Sequence, residues 1–526
     1  MSQHRGSRRL LVAFATSTAV LVTSAVPAQA GLLGSVTGLL SGTVGVVSSA
    51  LDTTLGLLGG ADWGYAPGVE PLTEVNAAIG ADRLWSRGIT GSGVGVALVD
   101  TGVVPVQGLT SGNVVNGPDL SFDSQSPSPT LDGFGHGTHM AGIIAGNDGT
   151  STGFRGVAPG STLLSVRVGA HDGAADVSQV VAAVDWVVAH RRDPGLNIRV
   201  LNLSYGTDGT QATTLDPLTH AVENAWRAGI VVVVSGGNGG TSRPSVDNPA
   251  RDPYVLAVGA DDTHGTPGSA LDDTVPSFST RGSASRRVDL VAPGQSVASL
   301  RDPGSYVDTE YPGAVVDTRY FKGSGTSQAT AVVSGAVALL LQARPTLTPD
   351  DVKRLLKTTA HPLLTADAAG QGSGLVDVNA AASVPLVPLT QSWPRSTGMG
   401  TLEGARGTKH VGDNGVDLSG ERDIFGKAWV PSVWAPASST QTAWSGGVWN
   451  TSNWAGTCWC GSSWSSRTWS SRTWSDLTWS SRTWSSTAWD SRTWSSRTWS
   501  GDAWTSRTWS SRTWSGSTWS SAHGDD

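Results

Sequence analysis

Short runs of aliphatic and β-branched residues recur along the middle of the chain, each closed by glycine or a polar residue. They are Val94–Val99, Thr162–Val168, Ile198–Leu203, Gly229–Val234, Val255–Val258 and Val288–Val291. Apolar runs this continuous predict strands covered on both faces, as in a parallel sheet, and not strands with one face in water. Between them, Val177–His190 and Leu218–Ala228 repeat apolar residues with the helical period, and Ala329–Leu341 is a longer apolar run. The alternation predicts an α/β fold, a parallel sheet sandwiched by helices. In such sheets functional groups gather in the loops at the carboxyl ends of the strands.

The residues at those ends carry chemistry. The first run stops at Asp100-Thr101-Gly102, which places a carboxylate at the end of a buried strand, where it needs a partner. Asp132-Gly133-Phe134-Gly135-His136-Gly137-Thr138-His139 follows and leads into the helix-like Met140–Ala145. Two histidines at i and i+3, without a glutamate between them, do not make the i, i+4 zinc pattern. No metal is therefore assigned, and His136 reads as a base with His139 as a structural residue. Gly229–Val234 ends in Ser235-Gly236-Gly237-Asn238-Gly239-Gly240, where Asn238 is either a turn residue or an amide donor aimed at an oxyanion. Gly323-Ser324-Gly325-Thr326-Ser327 opens the long apolar run. A hydroxyl there is either a helix cap or a nucleophile among unpaired backbone N–H groups.

Taken together, Val-Asp-Thr-Gly around Asp100, Gly-His-Gly-Thr-His around His136, Gly-Asn-Gly around Asn238 and Gly-Thr-Ser around Ser327 resemble the subtilase family of serine peptidases, over about residues 76–382. The order Asp, His, Ser is that of subtilisin. The resemblance implies a subtilisin-like fold and a secreted serine endopeptidase. Its catalytic residues would be Asp100, His136 and Ser327, with the Asn238 amide and the Ser327 N–H as oxyanion hole. It further implies that Ser204-Tyr205-Gly206 pairs with the substrate backbone, that Gly173-Ala174-Ala175 forms the opposite rim, and that Ser235-Gly236-Gly237 lines the first specificity pocket. With nothing bulky in that word, the pocket is expected to accept large apolar side chains. The chemistry needs no cofactor. Family members often bind Ca²⁺, yet no stretch here offers enough spaced oxygen ligands to name a site. Two departures stand out. Gln328 and Ala331 follow the nucleophile where the family usually has Met and Pro. The competing reading is a weakly active or inactive subtilase-fold surface protein that displays its tail.

The flanks add compartment and appendages. Arg5, Arg8 and Arg9, then the apolar run Leu10–Val22, then Ala28-Gln29-Ala30, give the order of a signal peptide ending at residue 30. The run is too short for a membrane anchor, so no transmembrane helix is expected in the mature chain. Export places the protein outside the cell, with cell-envelope association as a further expectation. Residues 31–75 read as a Gly/Leu/Val-rich spacer or short propeptide, 76–384 as the peptidase domain and 385–428 as a Pro/Gly/Ser-rich linker. Residues 429–526 read as a low-complexity Trp-repeat tail. There, tryptophans fall at every fifth position from Trp444 to Trp519, in phase with Trp429 and Trp434. Such a tail suits cell-wall polysaccharide or self-association. With a net charge of −7 over 526 residues, nucleic acid is not an expected partner. The two cysteines, Cys458 and Cys460, leave the catalytic body to be held by its core.

Overall fold

A computed structural model describes residues 68–124, 131–364, 366–413, 416–453 and 471–473. The expected signal peptide, most of the spacer, both cysteines and nearly all of the tail beyond Asn453 lie outside these residues. Seven strands form one parallel sheet in the order β2-β3-β1-β4-β5-β6-β7. They are β1 (Gly95–Asp100), β2 (Val114–Asp119), β3 (Thr162–Arg167), β4 (Ile198–Leu203), β5 (Val231–Ser235), β6 (Leu256–Asp261) and β7 (Leu290–Pro293). Each apolar run holds a strand. The strand missed in the sequence, β2, is an edge: its Val-Val-Asn-Gly-Pro-Asp is half exposed and tolerates the proline that an inner strand would reject.

Four helices position the site: α1 (His136–Ala145), α2 (Val177–His190), α3 (Pro217–Arg227) and α4 (Thr326–Ala343). A capping box starts α2, with Gln179 Oε1 accepting the Asp176 N–H at 2.7 Å while the Asp176 carboxylate caps the first turn. All of α4 from Thr326 to Leu341 is buried, packed on β4, β5, β6, β7 and α1. Among the described residues it is the one helix long and apolar enough to cross a membrane, and its apolar character is accounted for by this burial. Beside the main sheet, β8 (Val297–Leu300) pairs antiparallel with β9 (Tyr320–Gly325), which runs directly into α4. The backbone of Ser471–Thr473 pairs antiparallel with the other edge of β9.

Within residues 385–428, read from composition as a linker, described residues pack on α2 and α3. Arg406 is fully buried, and its guanidinium meets Asp176 at 2.7 Å and donates to Gly420 O at 2.7 Å. Ser396 N–H donates to the Glu223 carboxyl group, and Ser396 O lies 2.8 Å from His220 Nδ1. The first tryptophans of the repeat are docked as well. Asp185 of α2 accepts the indole N–H groups of Trp434 (2.8 Å) and Trp449 (2.9 Å) on Oδ2, and the Ser438 hydroxyl (2.6 Å) on Oδ1. Trp429 packs against both indoles, with ring centroids 4.7 and 5.9 Å away. The anchors of this layer, among them Leu402, Val411, Leu418 and Ile424, are buried singly, so no apolar run announced them.

The helix Pro349–Thr359, whose Asp350 accepts the Trp226 indole N–H of α3 at 2.7 Å, directs Lys353 into a cage of oxygens. Its ammonium donates to Pro253 O (2.6 Å) and Val255 O (2.8 Å) and lies 3.2 Å from Asp289 Oδ2. Burial alone would raise the Asp289 carboxyl, but Arg286, Lys353 and Lys357 outweigh it and hold the group well below its ordinary range.

Candidate active site

Asp100 is the last residue of β1 and His136 the first of α1. Asp100 Oδ1 lies 2.6 Å from His136 Nδ1 and also accepts the Thr101 N–H at 2.8 Å, with both side chains buried. The two elements can approach because of Gly137. A Cβ there would stand 2.1 Å from Gly102 O, whereas its N–H reaches the Thr101 hydroxyl at 2.8 Å. Asp132 anchors the start of α1, accepting N–H groups from Gly135 (2.7 Å) and Phe134 (3.1 Å) on Oδ1 and from Thr138 (2.8 Å) on Oδ2. A carboxylate at a helix N-terminus also meets the favourable end of the helix dipole. The sequence contained this aspartate in the histidine motif without marking its role. Burial, with His136 nearby, pushes His139 down to about 3, so its ring stays neutral, in keeping with a structural residue.

Ser327 is the second residue of α4, in the first turn, whose amides have no intrahelical acceptor. Its Oγ is buried and makes no hydrogen bond, and α4 packs directly on α1. Catalytic hydrogen bonds are often long before substrate arrives and close in the complex. Asn238 follows β5, and its Oδ1 accepts both the N–H and the hydroxyl of Thr326 at 2.8 Å. That pair of bonds fixes the amide orientation and leaves Nδ2 buried without an acceptor. A buried, unsatisfied donor held this firmly suits a charge that is present only during reaction. Gln328 and Ala331, the two departures, are both buried within α4.

The expected substrate-binding residues lie in the segments that follow β3 and β4 and across the end of β5. Ser204-Tyr205-Gly206 follows β4. Tyr205 is fully buried, so its ring belongs to the body and only main chain remains for a substrate. Gly173-Ala174-Ala175 lies in a turn closed by Ala170 N–H to Ala174 O (2.9 Å), directly before Asp176, the carboxylate that Arg406 clamps. Ser235-Gly236-Gly237 ends β5, and Gly237 adopts φ 102°, a conformation that favours glycine. The sequence reading left the space beside these glycines open, but Asp247 stands there: a Cβ on Gly237 would be 2.5 Å from Asp247 Oδ2. No motif pointed to this residue. Among the described residues, no group of three or more His, Cys, Asp or Glu is arranged to hold a metal ion.

Comparison with known proteins identifies the family of the chain. The chain is similar to the serine protease AprX of Bacillus subtilis (strain 168), 40% identical over 304 residues that cover 56% of this chain and 67% of that protein. Subtilisin BL of Lederbergia lenta is 38% identical over 297 residues, covering 56% and 93%. Among solved structures, fervidolysin from Fervidobacterium pennivorans matches at 31% identity and a TM-score of 0.46, covering 59% of this chain and 45% of that one. The chain thus spans less than half of the fervidolysin chain. A profile for the subtilase family matches residues 91–400 and takes in Asp100, His136, Asn238 and Ser327 together; the chain belongs to the subtilase family.

Proposed function

We propose that this protein is an exported serine endopeptidase that hydrolyses peptide bonds through an acyl-enzyme on Ser327. Ser327 Oγ attacks the scissile carbonyl as His136 Nε2 takes its proton, and the oxyanion enters the hole made by Asn238 Nδ2 and the Ser327 N–H. Collapse of the tetrahedral adduct breaks the C–N bond, and His136 returns the proton to the leaving amine. Water then repeats the sequence on the ester and frees the acid. Asp100, bonded to Nδ1, holds the tautomer that leaves Nε2 basic and steadies the imidazolium.

The observation that carries this reading is the buried 2.6 Å contact between His136 Nδ1 and Asp100, in a chain where the Asn238 donor is fixed and unsatisfied. A fluorophosphonate probe should label wild-type protein at Ser327 and spare Ser327→Ala, with loss of peptide hydrolysis in the variant. Equal labelling of both proteins would overturn the assignment. Export is supported by the basic, apolar and small-residue order of the first 30 residues. N-terminal sequencing of protein from the culture medium should begin at or after Gly31.

A further inference from the structure

Asp247 sits between the two segments expected to grip substrate, and its main chain is stitched to both. Its N–H donates to Gly236 O at 3.1 Å, and its neighbour Asn248 exchanges N–H and C=O bonds with Thr207 at 2.9 and 3.0 Å. The side chain is thereby held in the slot between Gly206 and Gly237. A Cβ on Gly206 would stand 2.9 Å from Asp247 Cβ, and one on Gly237 2.5 Å from Oδ2. Glycine at both positions is what admits the carboxylate.

The surroundings of the carboxylate are lopsided. Arg243 Nη2 meets Oδ1 at 2.9 Å, and Arg243 Nη1 lies 3.5 Å from Asp208 Oδ2. Among the described residues no hydrogen-bond donor reaches Asp247 Oδ2, the oxygen nearest Gly237. Arg243 arrives along Gly239, beside Asn238, where its Cγ would overlap any Cβ. It is also the loosest of the three groups, 28% exposed against 14% for Asp208 and 15% for Asp247. A guanidinium thus already bridges two carboxylates at the edge of the slot, the Lys409 ammonium adds its charge to both, and among the described residues Asp247 Oδ2 has no protein donor.

We infer that Asp247 makes the first specificity pocket select a basic side chain, arginine or lysine, on the acyl side of the cleaved bond, with Arg243 as the internal cation that the substrate joins or displaces. This rests on the peptidase reading above and refines its substrate class. A large apolar side chain would strip water from Oδ2 without supplying a donor, and burying an unpaired carboxylate oxygen is costly. An acidic side chain would face both Asp247 and Asp208, an opposition of like charges. A guanidinium or ammonium supplies the missing donor and gains a charge-assisted bond.

The test uses full-length enzyme and peptide pairs that differ only at that one position, Arg, Lys, Leu, Phe or Glu. Competent nucleophiles are first counted in each preparation by fluorophosphonate titration. If nothing titrates, the peptidase reading itself has failed, which is a separate result. For wild type, kcat/KM for Arg and Lys should exceed that for Leu by about 10- to 100-fold. Asp247→Asn, which keeps the shape and removes the charge, should collapse that ratio, and the ratio within one preparation cancels any general loss of activity. Arg243→Ala should raise it, because a competing cation is gone. A wild-type preference for Leu, Phe or Glu, or an Arg/Leu ratio unchanged in Asp247→Asn, would overturn the proposal.

Discussion

The side-chain oxygen of Asn238 is bound twice by Thr326, through its N–H and its hydroxyl, each at 2.8 Å. Thr326, the residue before the proposed nucleophile, therefore aims the amide proposed for the oxyanion hole. Asn238→Ala should lower kcat by about 10²–10³ with little change in KM, because the lost bond forms only in the transition state. Thr326→Val removes the hydroxyl and keeps the N–H bond. It should cost roughly tenfold in kcat, from loosened positioning. Steady-state kinetics on one peptide substrate distinguish the two; an unchanged kcat in Asn238→Ala would remove this residue from the oxyanion hole.

Arg406 and Asp176 form an ion pair in which neither side chain is exposed. Removing one partner of such a pair leaves a buried charge without compensation, at a cost of about 3–5 kcal/mol. Arg406→Met should accordingly lower the unfolding free energy by about 3–5 kcal/mol, a large part of the roughly 5–15 kcal/mol typical of a domain. The turn holding Gly173-Ala174-Ala175 runs straight into Asp176, so KM for peptides should rise at temperatures where the variant is still folded. Urea unfolding and kinetics measured together check both effects.

Asp185 receives three buried donors, and its substitutions should separate by acceptor count. Asp185→Ala leaves two indole N–H groups and a hydroxyl unsatisfied, at about 1–3 kcal/mol each. Asp185→Asn should be much milder, about 1 kcal/mol, because the amide oxygen can face both indoles while the Ser438 hydroxyl turns to accept from the NH₂. Limited proteolysis should cut Asp185→Ala between Val384 and Ser396 and leave Asp185→Asn largely intact.

Burial, reinforced by Asp252, pushes Glu223 up to about 8. The folded protein keeps this proton to about pH 8, while the unfolded chain releases it near 4.5, so folding takes up a proton between those values. Stability should fall as pH rises from about 4.5 to 8 and level off above. Asp302, also raised to about 8 by burial and by Asp132, acts in the same sense. Glu223→Gln cannot titrate, and its Tm should change less than wild type between pH 5 and 8. An identical slope in the two proteins would show that Glu223 titrates normally.

The parts legible in the sequence were those with continuous patterns. Val177–His190 is a helix with the bounds its periodicity indicates, and Ile198–Leu203 a strand with the bounds of its apolar run. Asp100 and His136 announced themselves because strand ends and glycine-flanked motifs concentrate polar chemistry. What escaped depends on partners far along the chain. Arg406 and Asp176 are 230 positions apart, and nothing local marks either as one half of a buried pair. Asp247 lies in a Pro- and Ser-rich loop whose register is set by Thr207 and Gly236, so its place in the slot follows from tertiary pairing alone. The docked tryptophans were misread for a related reason. A five-residue spacing fits neither a helix nor a strand face, and the acceptor that gathers two of those indoles belongs to α2.

The lysine held among the carbonyls of Pro253 and Val255 and the carboxylate of Asp289 has a consequence for handling the protein. A set of main-chain oxygens and a carboxylate is the surrounding that dissolved hard cations take. Here the positive charge is tethered to a helix by a hydrocarbon stem, at an effective concentration that dilution cannot lower. Chelators and desalting, which empty ion sites elsewhere, have nothing to remove from this corner of the sheet.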